Sequence, residues 1–316
     1  MTNWNALYDR LRQAAPALEL RRNEPMSRHT TFRVGGPVPV MALPKGTGEA
    51  RAALKAACEL GITPFFLGNG SNLLVDDRGA DRFVVKLADG FGEIREVNRR
   101  LEAGGGVLLS RLANAALGRD LTGLEFAQGI PGSVGGGVYL NAGAYGGELS
   151  QAVWSVTALE PDGAVRELTV QECGFGYRKS AFCTNRMLIL KVTFALEQGD
   201  PAEIKAKMDG LAARRREKQP LEYPSAGSSF KRPPAVDGQP VYAAALIDAC
   251  GLKGLTVGGA QVSEKHAGFI INRGGAACKD IVELMAQVRE QVFRETGVTL
   301  EPEVRYLGTE GEGWNF

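Results

Sequence analysis

Residues 129–147 read GIPGSVGGGVYLNAGAYGG, with glycine at 129, 132, 135, 136, 137, 143, 146 and 147. Glycine tolerates positive φ and lets a ligand come close to the backbone. Successive free N–H groups in such a run form concavities that hold anions, and a pyrophosphate is the natural guest. A plain loop with tight turns would use the same glycines. The run Asn141, Ala142, Gly143, Ala144 and Tyr145 argues against a floppy linker. The stretch is not a GxGxxG fingerprint, because no strand-then-helix pattern with an acid about 20 residues on brackets it. A dinucleotide held here points away from a Rossmann fold.

Upstream lies a second candidate nest, Gly68-Asn69-Gly70-Ser71-Asn72, between the apolar runs TPFFL at 63–67 and LLV at 73–75. Taken alone it also reads as an ordinary Asn-Gly hairpin turn. Around it, apolar spacing predicts helices over 3–15 and 48–60, an extended segment over 28–37 and a strand over 83–87. Residues 1–88 thus form a small α/β lobe. A second lobe, 89–200, holds a helix at 108–117 and strands at 101–106, 153–159, 165–170 and 187–196. Between the last two strands lies an aromatic and basic loop, FGYRKS at 175–180. Asp200-Pro201-Ala202-Glu203 is a helix start, with Asp at the N-cap and Pro at the first helical position. That helix runs towards Lys218, and its basic end complements the helix dipole. The third region, 201–316, has a stretch at 220–234 too rich in Pro, Gly and Ser for a regular element. Helices follow at 241–250 and 280–296, and strands at 267–272 and 299–307. The period of two puts Glu301, Glu303 and Arg305 on one face of the last strand.

The chain has 316 residues, 41 of them glycine, and a formal net charge of +1. That length suits two or three domains, and the charge argues against a general nucleic-acid binder. No apolar run reaches the roughly 18–20 residues of a membrane span, and residues 1–22 lack a signal-peptide core. Five scattered cysteines, never in CxxC spacing, read as reduced thiols of a cytoplasmic protein. With only His29 and His266, a metal site is not expected.

Three polar residues stand out. Ser228 follows Ala226-Gly227, where a glycine can expose a hydroxyl able to deliver a proton; a turn serine reads the same way. Glu303 has Arg305 two residues along, which fits a surface pair as well as a site. Arg178, among aromatic residues, suits a carboxylate clamp or a cation–π contact.

At this point the motifs converge on one family. The segments TTFRVGGP, GNGSNLLV, GIPGSVGG…NAGAYG, YRKSAF, KQPLEYPSAGSSFKRP, AALIDACGLKG, VSEKHAGFIIN and LEPEVRYLG occur in order from 30 to 308. In this the chain resembles the UDP-N-acetylenolpyruvoylglucosamine reductases, in their shorter, second type. The extra loop of the longer type is absent between Arg178 and Asp200, and Arg232 stands where the family often has Asn. The resemblance implies an α+β, vanillyl-alcohol-oxidase-type fold. Its two lobes would hold non-covalent FAD, and a separate C-terminal α+β domain, 201–316, would take the substrate. It implies a monomeric cytoplasmic flavoenzyme of peptidoglycan precursor synthesis. NADPH would reduce FAD, and a hydride would then pass to UDP-N-acetylglucosamine enolpyruvate.

Carried over by motif, Ser228 would donate the proton, and Arg178 and Glu303 would stabilise the enediolate. FAD would contact Gly68, Asn69, Gly70, Ser71, Asn72, Gly129, Ile130, Pro131, Gly132, Ser133, Gly135, Gly136, Asn141 and Gly143. Tyr177, Lys218 and His266 would contact substrate. The competing readings are a flavin oxidase of the same fold acting on a small hydroxy acid, and a non-catalytic nucleotide-binding module.

Overall fold

The computed structural model describes residues 2–87, 89–235 and 238–314. The lobe boundary expected at 88 lies outside the described residues, as do the chain ends at 1 and 316. The chain forms two compact units, each discontinuous in sequence. The first comprises Met1–Arg22, Val40–Asn69 and Arg82–Arg215, the second Asn23–Pro39, Gly70–Asp81 and Arg216–Phe316.

The first unit has two apolar cores. One lies where the helices Trp4–Ala14 and Thr47–Glu59 meet parallel strands, in which Phe83–Lys86 pairs with both Pro37–Leu43 and Pro64–Leu67. Parallel strands covered on both faces read as continuous apolar runs, and Phe83, Val84 and Val85 are all fully buried. The other core lies on an antiparallel sheet ordered Val165–Thr169, Val153–Leu159, Leu188–Phe194, Arg100–Gly104, Ile94–Val97. Strand Leu188–Phe194 serves both cores. Leu188 and Leu190 enter the first, while Ile189, Val192 and Phe194 enter the second. A register shift, where Thr157 pairs with Lys191 and Ala158 with Ile189, reverses the facing partway along.

The glycine stretch is not all loop. Val134–Tyr139 is a short helix, because the Ser133 side chain accepts from the Gly136 N–H at 3.3 Å and starts the turn. Glycine lets this helix sit tight: a Cβ at Gly137 would lie 2.8 Å from Leu149 Cδ1. The helix Pro201–Lys218 begins as expected, with Asp200 Oδ1 accepting from Ala202 N–H at 2.7 Å.

In the second unit, helix Cys278–Thr296 buries Ile281, Leu284, Met285, Val288 and Val292 in a core shared with the sheet Ser225–Ser228, Phe269–Asn272, Ala260–Val262, Thr256–Val257. It starts two residues before the expected 280, because the Asp77 carboxylate accepts from the N–H groups of Cys278 and Lys279 at 2.7 and 3.0 Å. Three further expectations are corrected. The stretch 220–234 does contain a strand, Ser225–Ser228, recruited by pairing with Phe269–Asn272. Residues 28–37 are not simply extended: Met26–Arg28 is a 3-10 turn, and Arg33 takes φ +58 in a compact bend. The strand expected at 299–307 is only Arg305–Gly308, parallel to Leu73–Val75. Pro302 bridges Phe230 instead, so Glu303 lies before the strand and not within it beside Arg305.

Candidate active site

In the first unit the two glycine segments meet. Strand Pro64–Leu67 delivers Gly68 against Ser133, so closely that a Cβ at Gly68 would sit 2.3 Å from Ser133 Oγ. Asn69 Nδ2 donates to the Pro131 carbonyl at 2.5 Å. The backbone of the nest is fixed from outside: Leu109 N–H donates to Gly132 O at 2.9 Å, and Gly135 N–H to Gly105 O at 2.9 Å. Ile130 is half-buried and joins the core, while Pro131 is exposed. At Gly136 an added Cβ would meet only Ser133 Oγ, at 3.3 Å, so that side of the short helix is open. One residue before the nest, Gln128 Oε1 is buried with no hydrogen-bond partner among the described residues.

Asn141 ties this stretch to the YR turn. It is 2% exposed at φ +45, its Oδ1 accepts from Ser150 N–H at 2.9 Å, and its Nδ2 donates to Gly176 O at 3.3 Å. Both ends of its side chain therefore serve the protein. Gly176 and Lys179 exchange backbone hydrogen bonds at 3.0 and 3.2 Å, leaving Tyr177 and Arg178 at the tip of a tight turn. Arg178 is held at φ +55, a region that costs a non-glycine residue roughly 1–2 kcal/mol. Such an outlier points to function. Its Nη1 donates to Gly143 O at 3.5 Å, and its guanidinium lies 5.4 Å from the Tyr177 ring centroid. Tyr177 is 53% exposed.

The basic helix end holds a residue the sequence reading passed over. Arg215 donates to Gly129 O and lies 5.7 Å from the Tyr145 ring centroid, and burial pushes its pKa down. The signal was its spacing: Ile204, Met208 and Arg215 share one helical face, and the first two are buried.

In the second unit, Gly70 takes φ +63, and a Cβ there would lie 1.9 Å from His29 O, so only glycine fits. The N–H groups of Gly70, Ser71 and Asn72 have no acceptor among the described residues. Asn72 Nδ2 donates to Glu303 O at 3.1 Å. Glu303 N–H donates in turn to Ser229 O at 2.9 Å.

The strand carrying Ser228 is bulged: Ser225 faces Ile271 and Ser228 faces Phe269, with Gly227 at φ +76 between them. The bulge separates the neighbouring serines. Ser229 is 1% exposed, and its Oγ accepts from Ile270 N–H at 3.1 Å. The Ser228 hydroxyl is half-buried and has no hydrogen-bond partner among the described residues. His266 lies on the adjoining turn. Its Nδ1 accepts from Gly268 N–H at 3.1 Å, and Gly268 O accepts from Ser229 N–H at 2.8 Å. Burial, first of all, pushes its pKa down. Lys218 is exposed at the helix end, where Lys265 Nζ donates to Arg216 O at 2.7 Å. The Arg232 guanidinium lies 5.0 Å from the Tyr242 ring centroid.

Ser228, Glu303 and His266 are thus gathered in the second unit, and the glycine nest, Tyr177 and Arg178 in the first. In the second unit the donor-rich turn at 70–72 fits a phosphate anion, and in the first the orphaned Gln128 oxygen fits a hydrogen-bonding edge of a ligand. Among the described residues no cluster of His, Cys, Asp and Glu is arranged to hold a metal, and no helix is long and apolar enough to cross a membrane.

The family model of an FAD binding domain matches residues 38–169, and that of the C-terminal domain of UDP-N-acetylenolpyruvoylglucosamine reductase matches 219–307. The reductase of Clostridium novyi is 46% identical over 93% of this chain and 94% of its own. That of Caldanaerobacter subterraneus subsp. tengcongensis is 44% identical over 96% and 98%. The crystal structure of the Thermus caldophilus reductase matches with a TM-score of 0.78 at 36% identity, covering 92% of this chain and 98% of that one. The expected α+β architecture, an FAD-binding part with a separate C-terminal domain, is borne out. With these relatives matching over nearly its whole length, the chain belongs to the UDP-N-acetylenolpyruvoylglucosamine reductase family.

Proposed function

We propose that this chain reduces the enolpyruvyl ether of UDP-N-acetylglucosamine enolpyruvate to UDP-N-acetylmuramate, with NADPH as hydride source, in peptidoglycan precursor synthesis. Bound FAD supplies the hydride relay between the two substrates. The observation that carries the reading is the Ser228 hydroxyl, beside the Gly227 bulge and without a hydrogen-bond partner among the described residues, one residue from the Ser229–Glu303 hydrogen bond.

Residues 1–88 and 89–200 hold the cofactor, with Gly68–Asn72 and 129–136 against its pyrophosphate. Residues 201–316 take the substrate, with Lys218 reaching its pyrophosphate and Tyr177 and His266 lining its path. As charge builds on the substrate carboxylate, the Arg178 guanidinium clamps it, and Glu303 helps to stabilise the enediolate. A guanidinium donor of this kind is worth about 3–4 kcal/mol. Ser228 delivers its proton to the carbon beside the carboxylate and yields the lactyl ether. In this reading the chain acts as a monomer. The cysteines Cys58, Cys173, Cys183, Cys250 and Cys278 are free thiols, which suits the cytoplasm.

Anaerobic bleaching of the flavin by NADPH, then recovery of its colour on adding the enolpyruvyl ether, tests this reading. Rapid reoxidation by oxygen with no response to the ether would favour an oxidase.

A further inference from the structure

We propose that Thr31 is a positioning residue that couples the turn at 70–72 to the strand carrying Ser228. The proposal rests on the function proposed above. Thr31 N–H donates to Gly70 O at 3.1 Å, and Thr31 Oγ1 donates to Ser225 O at 2.6 Å. One residue thus grips the turn with its backbone and the first residue of the bulged strand with its side chain. The hydroxyl has one proton. Gly70 O lies farther off, at 3.5 Å, so the proton goes to Ser225.

The bend that carries Thr31 is braced on every side. His29 Nε2 and Glu24 Oε1 lie 2.9 Å apart, both buried. Thr30 Oγ1 donates to Val34 O at 2.8 Å. Asn272 Nδ2 donates to Phe32 O at 3.0 Å, while Asn272 N–H donates to Pro224 O at 2.9 Å, beside Ser225. Gly70 is in turn pressed on the His29 carbonyl. An anion that draws in the N–H groups of residues 70–72 therefore pulls on a rigid bend. The Thr31 hydroxyl passes that pull to residue 225, three positions from the proton donor. Asn72 provides a parallel arm to Glu303 through its carbonyl. Filling the cofactor turn thereby sets the acid groups before substrate arrives.

The test compares Thr31→Val, which keeps the shape and removes the hydroxyl, with Thr31→Ser, which keeps the hydroxyl; Thr31→Ala serves if the valine packs badly. Amide hydrogen exchange is followed at residues 225–229 in each chain with and without FAD. FAD is expected to slow exchange there in the wild type and Thr31→Ser, and to leave it unchanged in Thr31→Val. In stopped flow, Thr31→Val should keep flavin reduction by NADPH within about twofold. Its reoxidation by the enolpyruvyl ether should fall about tenfold in rate, with little change in the substrate concentration at half-saturation, and Thr31→Ser should restore it. Equal slowing of exchange in Thr31→Val and wild type overturns the proposal. So does a wild type whose exchange ignores FAD, or a loss in Thr31→Val that Thr31→Ser does not rescue. If the wild-type flavin is not reoxidised by the ether, the reaction assigned above fails, and the exchange arm still decides the coupling.

Discussion

Glu303 N–H donates to Ser229 O at 2.9 Å, so the acid and the serine pair stand on facing rungs of one short ladder. The same ladder tells the two serines apart. Ser228→Ala should leave fold, FAD binding and reduction by NADPH near normal. Reoxidation by the enolpyruvyl ether should fall about 10²–10⁴-fold, the worth of a positioned proton donor. Ser229→Ala should instead cost stability, about 1–3 kcal/mol, because it orphans the buried Ile270 N–H. Stopped-flow kinetics and chemical denaturation of both variants check this pair. A catalytic collapse in Ser229→Ala alone would show the register to be wrong.

Gln128 Oε1 is buried without a partner among the described residues, and such a group costs about 1–3 kcal/mol until a donor arrives. Gln128→Leu should therefore leave the FAD-free protein as stable as wild type or more so, while weakening FAD by about tenfold. Thermal unfolding of the apo form and flavin fluorescence titration give the two numbers. Unchanged FAD affinity would mean that the oxygen does not face the cofactor.

Gly68→Ala places a methyl group 2.3 Å from Ser133 Oγ, which also caps the helix Val134–Tyr139. Losing that cap is worth about 1 kcal/mol, and FAD binding should weaken with it. Adding Ser133→Ala removes the clash, so the double variant should be less destabilised than the sum of the singles. Denaturation midpoints of the four chains close the cycle. Strict additivity would show that the two glycine segments do not lean on each other.

His266 is held neutral by burial, so its folded pKa lies below the unfolded value of about 6.5. The folded state then binds fewer protons than the unfolded one. Its contribution is complete above about pH 6.5 and is lost as pH falls below that towards the folded pKa. His266→Asn, whose Oδ1 can still accept from Gly268 N–H, should flatten the fall in melting temperature below about pH 6.5. An unchanged acid limb would place the titration elsewhere.

FAD should come away without a covalent bond. His29 is buried against Glu24, and neither His29 nor His266 lies in either glycine nest, at 68–72 or 129–147. Acid precipitation should leave the yellow colour in the supernatant; a yellow pellet would contradict this.

Elements whose signals are local could be read from the residues alone. Asp200-Pro201 announced its helix, the spacing of Ile281, Leu284, Met285, Val288 and Val292 announced another, and glycine at 68–72 and 129–147 marked both candidate nests. Gly227 before Ser228 marked a candidate hydroxyl. What depends on partners far along the chain was set by packing. Asp77 caps a helix that begins at residue 278, so no local pattern could place that start. Strand pairing with 269–272 made a strand of 225–228 despite its turn-forming composition, because ladder hydrogen bonds outweigh local propensity. The meeting of Gly68 with Ser133, the grip of Arg215 on Gly129 and the different fates of Ser228 and Ser229 follow the same rule. Periodicity fixes which face of an element is apolar. Which groups finally touch is set by how those faces pack.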